Sequence, residues 1–183
     1  MPTVPTREEL EAARSRSVPD VLGPGLGIVF VGINPGLFSA AVGHHFARPG
    51  NRFWKALHLA GITDRVWAPS DDRKLLSIGI GITNIVARPT ATATELSANE
   101  LREGSRALGT KIRRFRPAAV AILGVTAYRI GFERPKASLG LQDERSEGAA
   151  LWVLPNPSGL NAHHQLPDLA NAFATLRTAE PLR

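Results

Sequence analysis

The chain of 183 residues predicts a three-layer α/β fold, a parallel sheet covered on both faces by helices. Three observations point there. Four short runs, 26–33, 79–86, 118–123 and 149–154, are apolar without alternation, as strands buried on both faces are. Stretches with helical spacing separate them, so each strand is followed by a segment able to cross over and start the next in the same direction. Glycine and proline, 17 and 14 residues, gather where the runs end and fix the shape of the connecting loops.

The elements follow in order. Residues 1–19 read as an arm with one short helix, because Thr6 and Glu9 stand in capping-box spacing and Pro19 ends it. The first strand, 26–33, ends in Asn34-Pro35-Gly36. Residues 51–60 place Phe53, Trp54, Leu57 and Ala60 on one helical face, with Gly61 as the cap. A weaker helix spans 70–77, and 79–86 is the second strand. Ser97 and Glu100 form another capping box, opening a long helix towards Phe115 that Pro117 stops. The third strand is 118–123, followed by a helix-like 125–132. The fourth, 149–154, runs into Asn156-Pro157-Ser158-Gly159, and a helix over 167–177 closes the chain. The length suits one core, so residues 1–183 are expected to form a single domain with a helical arm.

Composition excludes several classes of chemistry. With no cysteine there are no disulfides, thiol nucleophiles, cysteine-bound zinc or iron-sulfur clusters. The longest apolar run falls far short of the ~20 residues that span a bilayer, and the opening residues show no export signal, so a cytosolic location is expected. The net charge of +6, with its surplus between residues 111 and 145, fits either a compositional preference for arginine or a surface facing phosphates.

Ligands of such sheets bind outside the carboxyl ends of the strands, which directs attention to the loops after Ile33, Val86, Leu123 and Leu154. Gly32-Ile33-Asn34-Pro35-Gly36 holds an Asn that can orient water without deprotonating it. Asn156-Pro157-Ser158-Gly159-Leu160 ends the fourth strand in the same way, with an apolar Leu160 in a polar loop. Each alone is equally well a tight turn with a capping Asn, and Leu160 equally well folds onto the core. Together they can close on one crevice, with Leu160 as a wedge into a base stack. Gly23, Gly25 and Gly27 precede their strand and so do not make a dinucleotide loop. Ser158 lacks the Gly-x-Ser-x-Gly elbow of a serine hydrolase, which leaves little support for a hydrolase with His163 or His164 as base. Neither His44-His45 nor His163-His164 has a supporting ligand pattern for metal, and both pairs read as surface or phosphate contacts. Lys111, Arg113, Arg114 and Arg116 read as a solvated helix end.

The loop GINPG, the segment HFARPGNRFWKALHLAG, ITNIVARPT and the final LPNPSGLN, in this order, resemble the mismatch-specific uracil-DNA glycosylases, the thymine-DNA glycosylase-like branch of the uracil-DNA glycosylase superfamily. The resemblance covers residues 18–178. It implies a three-layer sandwich with a mainly parallel four-stranded sheet, and hydrolysis of the N-glycosidic bond of uracil, thymine or an exocyclic adduct such as ethenocytosine opposite guanine. It implies no metal and no cofactor, and a partner that is double-stranded DNA bound by a monomer.

Position by position, the resemblance makes Asn34 the residue that orients the attacking water, with the backbone of Gly32 and Ile33 at the pyrimidine. Phe46 matches the aromatic that stacks on the flipped base, and Ser39 a position beside C5 of the base. Asn156 matches a donor to the pyrimidine O2. Leu160 matches the wedge, between Gly159 and Asn161, whose backbone groups pair with the widowed guanine; Ser158 shares that DNA-binding loop. Asn84, ending the second strand, is a further catalytic candidate, and Asn84→Asp is expected to raise activity on poor substrates. The sequence departs from the family where an Arg follows the wedge, for Asn161, Ala162, His163 and His164 stand there, and His163 or His164 becomes the candidate for that DNA contact. Two other readings remain, a mismatch-binding module without catalysis and a small-molecule hydrolase on the same sheet.

Overall fold

The computed structural model describes residues 4–182, so residues 1–3 of the arm and Arg183 lie outside it. The elements are α1 (Arg7–Ala12), β1 (Ile28–Gly32), α2 (Leu37–Val42), α3 (Phe53–Leu59), a 3-10 helix (Pro69–Ile78) and β2 (Ile80–Asn84). They continue with α4 (Ala98–Phe115), β3 (Ala119–Leu123), α5 (Val125–Gly131), β4 (Gly140–Ser146), β5 (Ala149–Leu154) and α6 (Leu166–Ala179). The sheet has five strands in the order β2-β1-β3-β5-β4. The first four are parallel, with Ile28 beside both Ile80 and Ala119, and Ala119 beside Ala150.

Both faces of the parallel strands are buried, as their unbroken apolar runs require. β1 divides its side chains by the two-residue period of a strand. Ile28 and Phe30 enter a layer with α3 and α6, while Val29 and Val31 enter the layer under α4 and α5. In the first layer Phe30 meets Phe53 edge-on at 5.4 Å and lies 5.0 Å from Phe173. Removing the Phe30 ring should cost about 3–5 kcal/mol, because both helices close on it. In the second layer α4 approaches β2 at Gly104, where a Cβ would collide with the Ile85 carbonyl.

Both anticipated capping boxes are present, Thr6 with Glu9 and Ser97 with Glu100. Five features differ from expectation. The sheet gains β4, an antiparallel edge strand joined to β5 through Glu147 and Gly148, both at positive φ. Its run GLQDERS exposes alternate residues to solvent and so carries little apolar signal. The short α2 also lacks a side-chain cap and went unanticipated, and 70–77 forms part of a 3-10 helix rather than an α-helix. His45 is not on the surface: only 2% of it is exposed and its Nε2 donates to Pro19 O at 2.9 Å. Lys111 is likewise not simply solvated, since it pairs with Asp20 at 2.7 Å and donates to Thr83 Oγ1 at 3.0 Å.

The basic run ends α4 just before β3 begins, so it sits at the amino ends of the parallel strands. The loops after β1, β2 and β5 lie at the other end. No helix among the described residues is long and apolar enough to cross a membrane.

Candidate active site

At the carboxyl ends of β1, β3 and β5 a cleft of about 740 Å³ opens, reached by both Asn-Pro loops. Of the sequence candidates, Gly32, Ile33, Asn34, Phe46, Asn156, Ser158, Leu160, Asn161 and His163 line it. Ser39, Asn84 and Gly159 do not. Its described lining includes no Asp or Glu, so no carboxylate stands ready to deprotonate water.

The two asparagines line the cleft and are anchored with opposite polarity. Asn34 Nδ2 donates to Arg88 O and to Thr90 Oγ1, both at 2.8 Å. A backbone carbonyl only accepts, so the amide orientation is determined, and Oδ1 is left as an acceptor with no partner among the described residues. Asn156 is held the other way round, its Oδ1 accepting from Ser158 N at 2.9 Å. A backbone N–H only donates, and Asn156 Nδ2 is left as a donor with no partner among the described residues.

The anchors of Asn34 are themselves fixed. Arg88 grips Glu100 through Nε at 2.7 Å and Nη2 at 3.1 Å, and this pairing holds the Glu100 pKa down at about 2 with help from the Ser97 cap. β1 and β2 extend their ladder into the loop, with Ile85 N donating to Gly32 O and Val86 N to Ile33 O, each at 2.9 Å. The chain then turns through Pro35, whose carbonyl accepts from Thr90 N at 3.1 Å.

Phe46 gives the cleft its aromatic wall. One face of its ring stacks on Phe53 at 4.1 Å, and its backbone takes a left-handed φ of 53° that costs a non-glycine residue about 1–2 kcal/mol. The surroundings impose that conformation. His45 is buried and bonded to Pro19 O, and its own carbonyl accepts from Trp54 Nε1 at 3.2 Å. Burial pushes the His45 pKa below its ordinary value, so the ring is neutral at neutral pH. Ser39 Oγ accepts from Ala47 N at 3.0 Å, which makes it a support of the Phe46 turn. Asn84 sits opposite Gly32 in the strand register, and its Oδ1 fills the place a Cβ on Gly32 would take.

Leu160 is 65% exposed, so it does not fold back onto the core. Asn161 Nδ2 donates to Asn156 O at 3.0 Å and its Oδ1 accepts from His163 N at 3.1 Å, which tightens the turn around Leu160. Gly159 lies against Gly50, where a Cβ would come within 2.8 Å of the carbonyl oxygen. Sequence reasoning missed Arg52, whose guanidinium reaches the carbonyls of this loop. Its place between the Phe46 turn and α3 was readable, but nothing local in sequence tells an arginine that binds a distant loop from one in solvent.

Residues 19–177 match the family model described as the uracil DNA glycosylase superfamily. The chain belongs to that superfamily. Its fold is also that of the solution NMR structure of a proposed uracil DNA glycosylase from Methanosarcina acetivorans, with a TM-score of 0.59 over 88% of this chain and 98% of that one. At 20% identity this likeness concerns the fold. The uracil DNA glycosylase superfamily consists of DNA glycosylase hydrolases, enzymes that act on DNA, and its match leaves only the helical arm and the last few residues outside.

Proposed function

We propose that the protein is a monofunctional, mismatch-specific uracil-DNA glycosylase of the thymine-DNA glycosylase-like branch. It would remove uracil opposite guanine from double-stranded DNA as a monomer in the cytosol, with thymine and ethenocytosine as further candidate substrates. The observation that carries this reading is the opposed polarity of Asn34 and Asn156 across one cleft.

The target base leaves the duplex and enters the cleft, where the face of Phe46 turned away from Phe53 offers a stacking surface. Asn156 Nδ2 donates to the pyrimidine O2. As the bond from N1 to C1′ breaks, its electron pair passes to the base, and this donor gains strength as the oxygen becomes anionic. On the sugar side a water donates one hydrogen to Asn34 Oδ1, which aims an oxygen lone pair at the oxocarbenium-like C1′. The water's surplus proton leaves to solvent or to the uracil anion. Without a carboxylate in the cleft, most of the rate comes from stabilising the leaving base, and slow turnover is expected. Leu160, exposed at the rim, fills the gap in the stack while the backbone of Gly159 and Asn161 meets the widowed guanine.

A duplex holding one G·U pair, incubated with the protein and then treated with alkali, tests this. Strand scission at the uracil is the expected result. A shifted but uncut duplex would make the protein a mismatch-binding module, and release of bases from free nucleosides a small-molecule hydrolase.

A further inference from the structure

The loop carrying Leu160 is seated on the segment 48–52. Arg52 N donates to Pro157 O at 3.0 Å, and Gly159 lies directly against the Gly50 backbone. The main link is one side chain. Arg52 Nη1 donates to His164 O at 2.6 Å, Nη2 donates to Asn161 O at 3.0 Å and to Ser158 O, and Nε lies 3.5 Å from Pro157 O. Four backbone carbonyls spread over eight residues thus converge on a single half-buried guanidinium. The side chains of Leu160 and His163 between these anchor points are exposed and line the cleft.

A guanidinium does this because its five N–H donors lie in one rigid plane, whereas a lysine ammonium is a point with three donors and cannot reach acceptors so far apart. Arg52 also begins the helix that supplies Phe53, the ring on which Phe46 stacks. The stacking wall and the seat of the Leu160 loop therefore share one stretch of chain.

We propose that Arg52 is the positioning residue that holds the 157–164 loop in its insertion geometry, so that Leu160 enters the stack without first ordering its loop. The inference rests on the glycosylase reading for its substrate. It locates the effect of Arg52 in unstacking of the pair, upstream of bond cleavage.

The test uses a duplex with one G·U pair and 2-aminopurine next to the uracil, whose fluorescence rises when the neighbouring base leaves the stack. Wild type, Arg52→Met, Arg52→Lys, Leu160→Ala and the double variant Arg52→Met/Leu160→Ala are compared for fluorescence, single-turnover uracil release and thermal melting. Arg52→Met is expected to lose most of the fluorescence rise and to slow release at least tenfold while melting cooperatively. Arg52→Lys should fall between it and wild type. The double variant should be no slower than the slower single variant, as for two changes acting on one step. Fluorescence at the wild-type level in Arg52→Met, or effects that multiply in the double variant, would overturn the inference. If Arg52→Met does not melt cooperatively, Arg52→Lys decides by the same two readouts. A wild type that unstacks the pair but releases no uracil would defeat the glycosylase reading and leave Arg52 to be judged by fluorescence alone; a wild type that does neither would defeat both.

Discussion

The two Asn-Pro loops end parallel strands of the same sheet, yet they are held by different means. The first is an extension of the sheet: its carbonyls at Gly32 and Ile33 continue the ladder to Ile85 and Val86, and Asn34 is bonded to Arg88 and Thr90. The second leaves the sheet and is fastened by internal turns and by one arginine from another part of the chain. A group that must aim a water gains from a rigid backbone, because small misplacements are costly to the rate. A loop that must enter DNA can rest on a tether, provided the tether sets its shape beforehand.

The largest expected effect lies at the donor. Asn156→Ala removes the group proposed to face the leaving base and should lower single-turnover uracil release by about 10²-fold or more. Asn34→Ala should lower it at least tenfold, a smaller loss because water reaches the cleft without help. A wild-type rate in either variant would detach that loop from the chemistry.

A second pair of changes probes how each loop is supported. Gly159→Ala places a Cβ 2.8 Å from Gly50 O, so the loop must lift. A several-fold loss of cleavage in duplex DNA is expected, with little change in melting temperature. Asn84→Asp acts beneath the first loop instead. Asn84 is nearly buried beside Gly32 and outside the cleft lining, so a carboxylate there loses hydration without meeting substrate. This replaces the expectation of a gain in activity. Thermal melting at neutral pH should show a loss of about 1–3 kcal/mol.

The smallest expected effect is on pH. His45 is buried neutral with its pKa pushed down, so the unfolded chain binds the proton more readily than the folded one. Stability is then complete above the ordinary histidine pKa of about 6.5 and declines as pH falls below it. Melting from pH 7 to pH 5 should show this decline in wild type and a flatter profile in His45→Gln, whose amide can still donate to Pro19 O. Glu100 behaves as a depressed carboxylate, and the stability from its Arg88 pair persists until pH falls through about 4.5 towards 2.

The sequence revealed most where the physics is local. Unbroken apolar runs located four parallel strands, two capping boxes located helix starts, and the repeated Asn-Pro motif located both loops of the cleft. β4 was hidden because an edge strand with one wet face needs no apolar pattern, and α2 because six residues with no side-chain cap leave little signal. His45 read as a surface residue since burial of a histidine depends on a distant acceptor, the Pro19 carbonyl. Ser39 illustrates the same limit: its hydroxyl is committed to Ala47, which spacing along the chain does not reveal. Arg52 is the extreme case, with partners more than 100 residues away.

On the proposed reading the cleft offers an acceptor from Asn34 and a donor from Asn156. Replacing each by aspartate tests it, since aspartate keeps an acceptor and abolishes the donor; at position 34 this gives up the bond to Arg88 O, while the Thr90 hydroxyl can turn to donate to the carboxylate and hold it in place. Single-turnover uracil release from a G·U duplex should stay above the Asn34→Ala rate in Asn34→Asp, and fall to or below the Asn156→Ala rate in Asn156→Asp, where a negative charge faces the departing anion. Equal losses in the two aspartate variants, or a faster Asn156→Asp, would contradict the account.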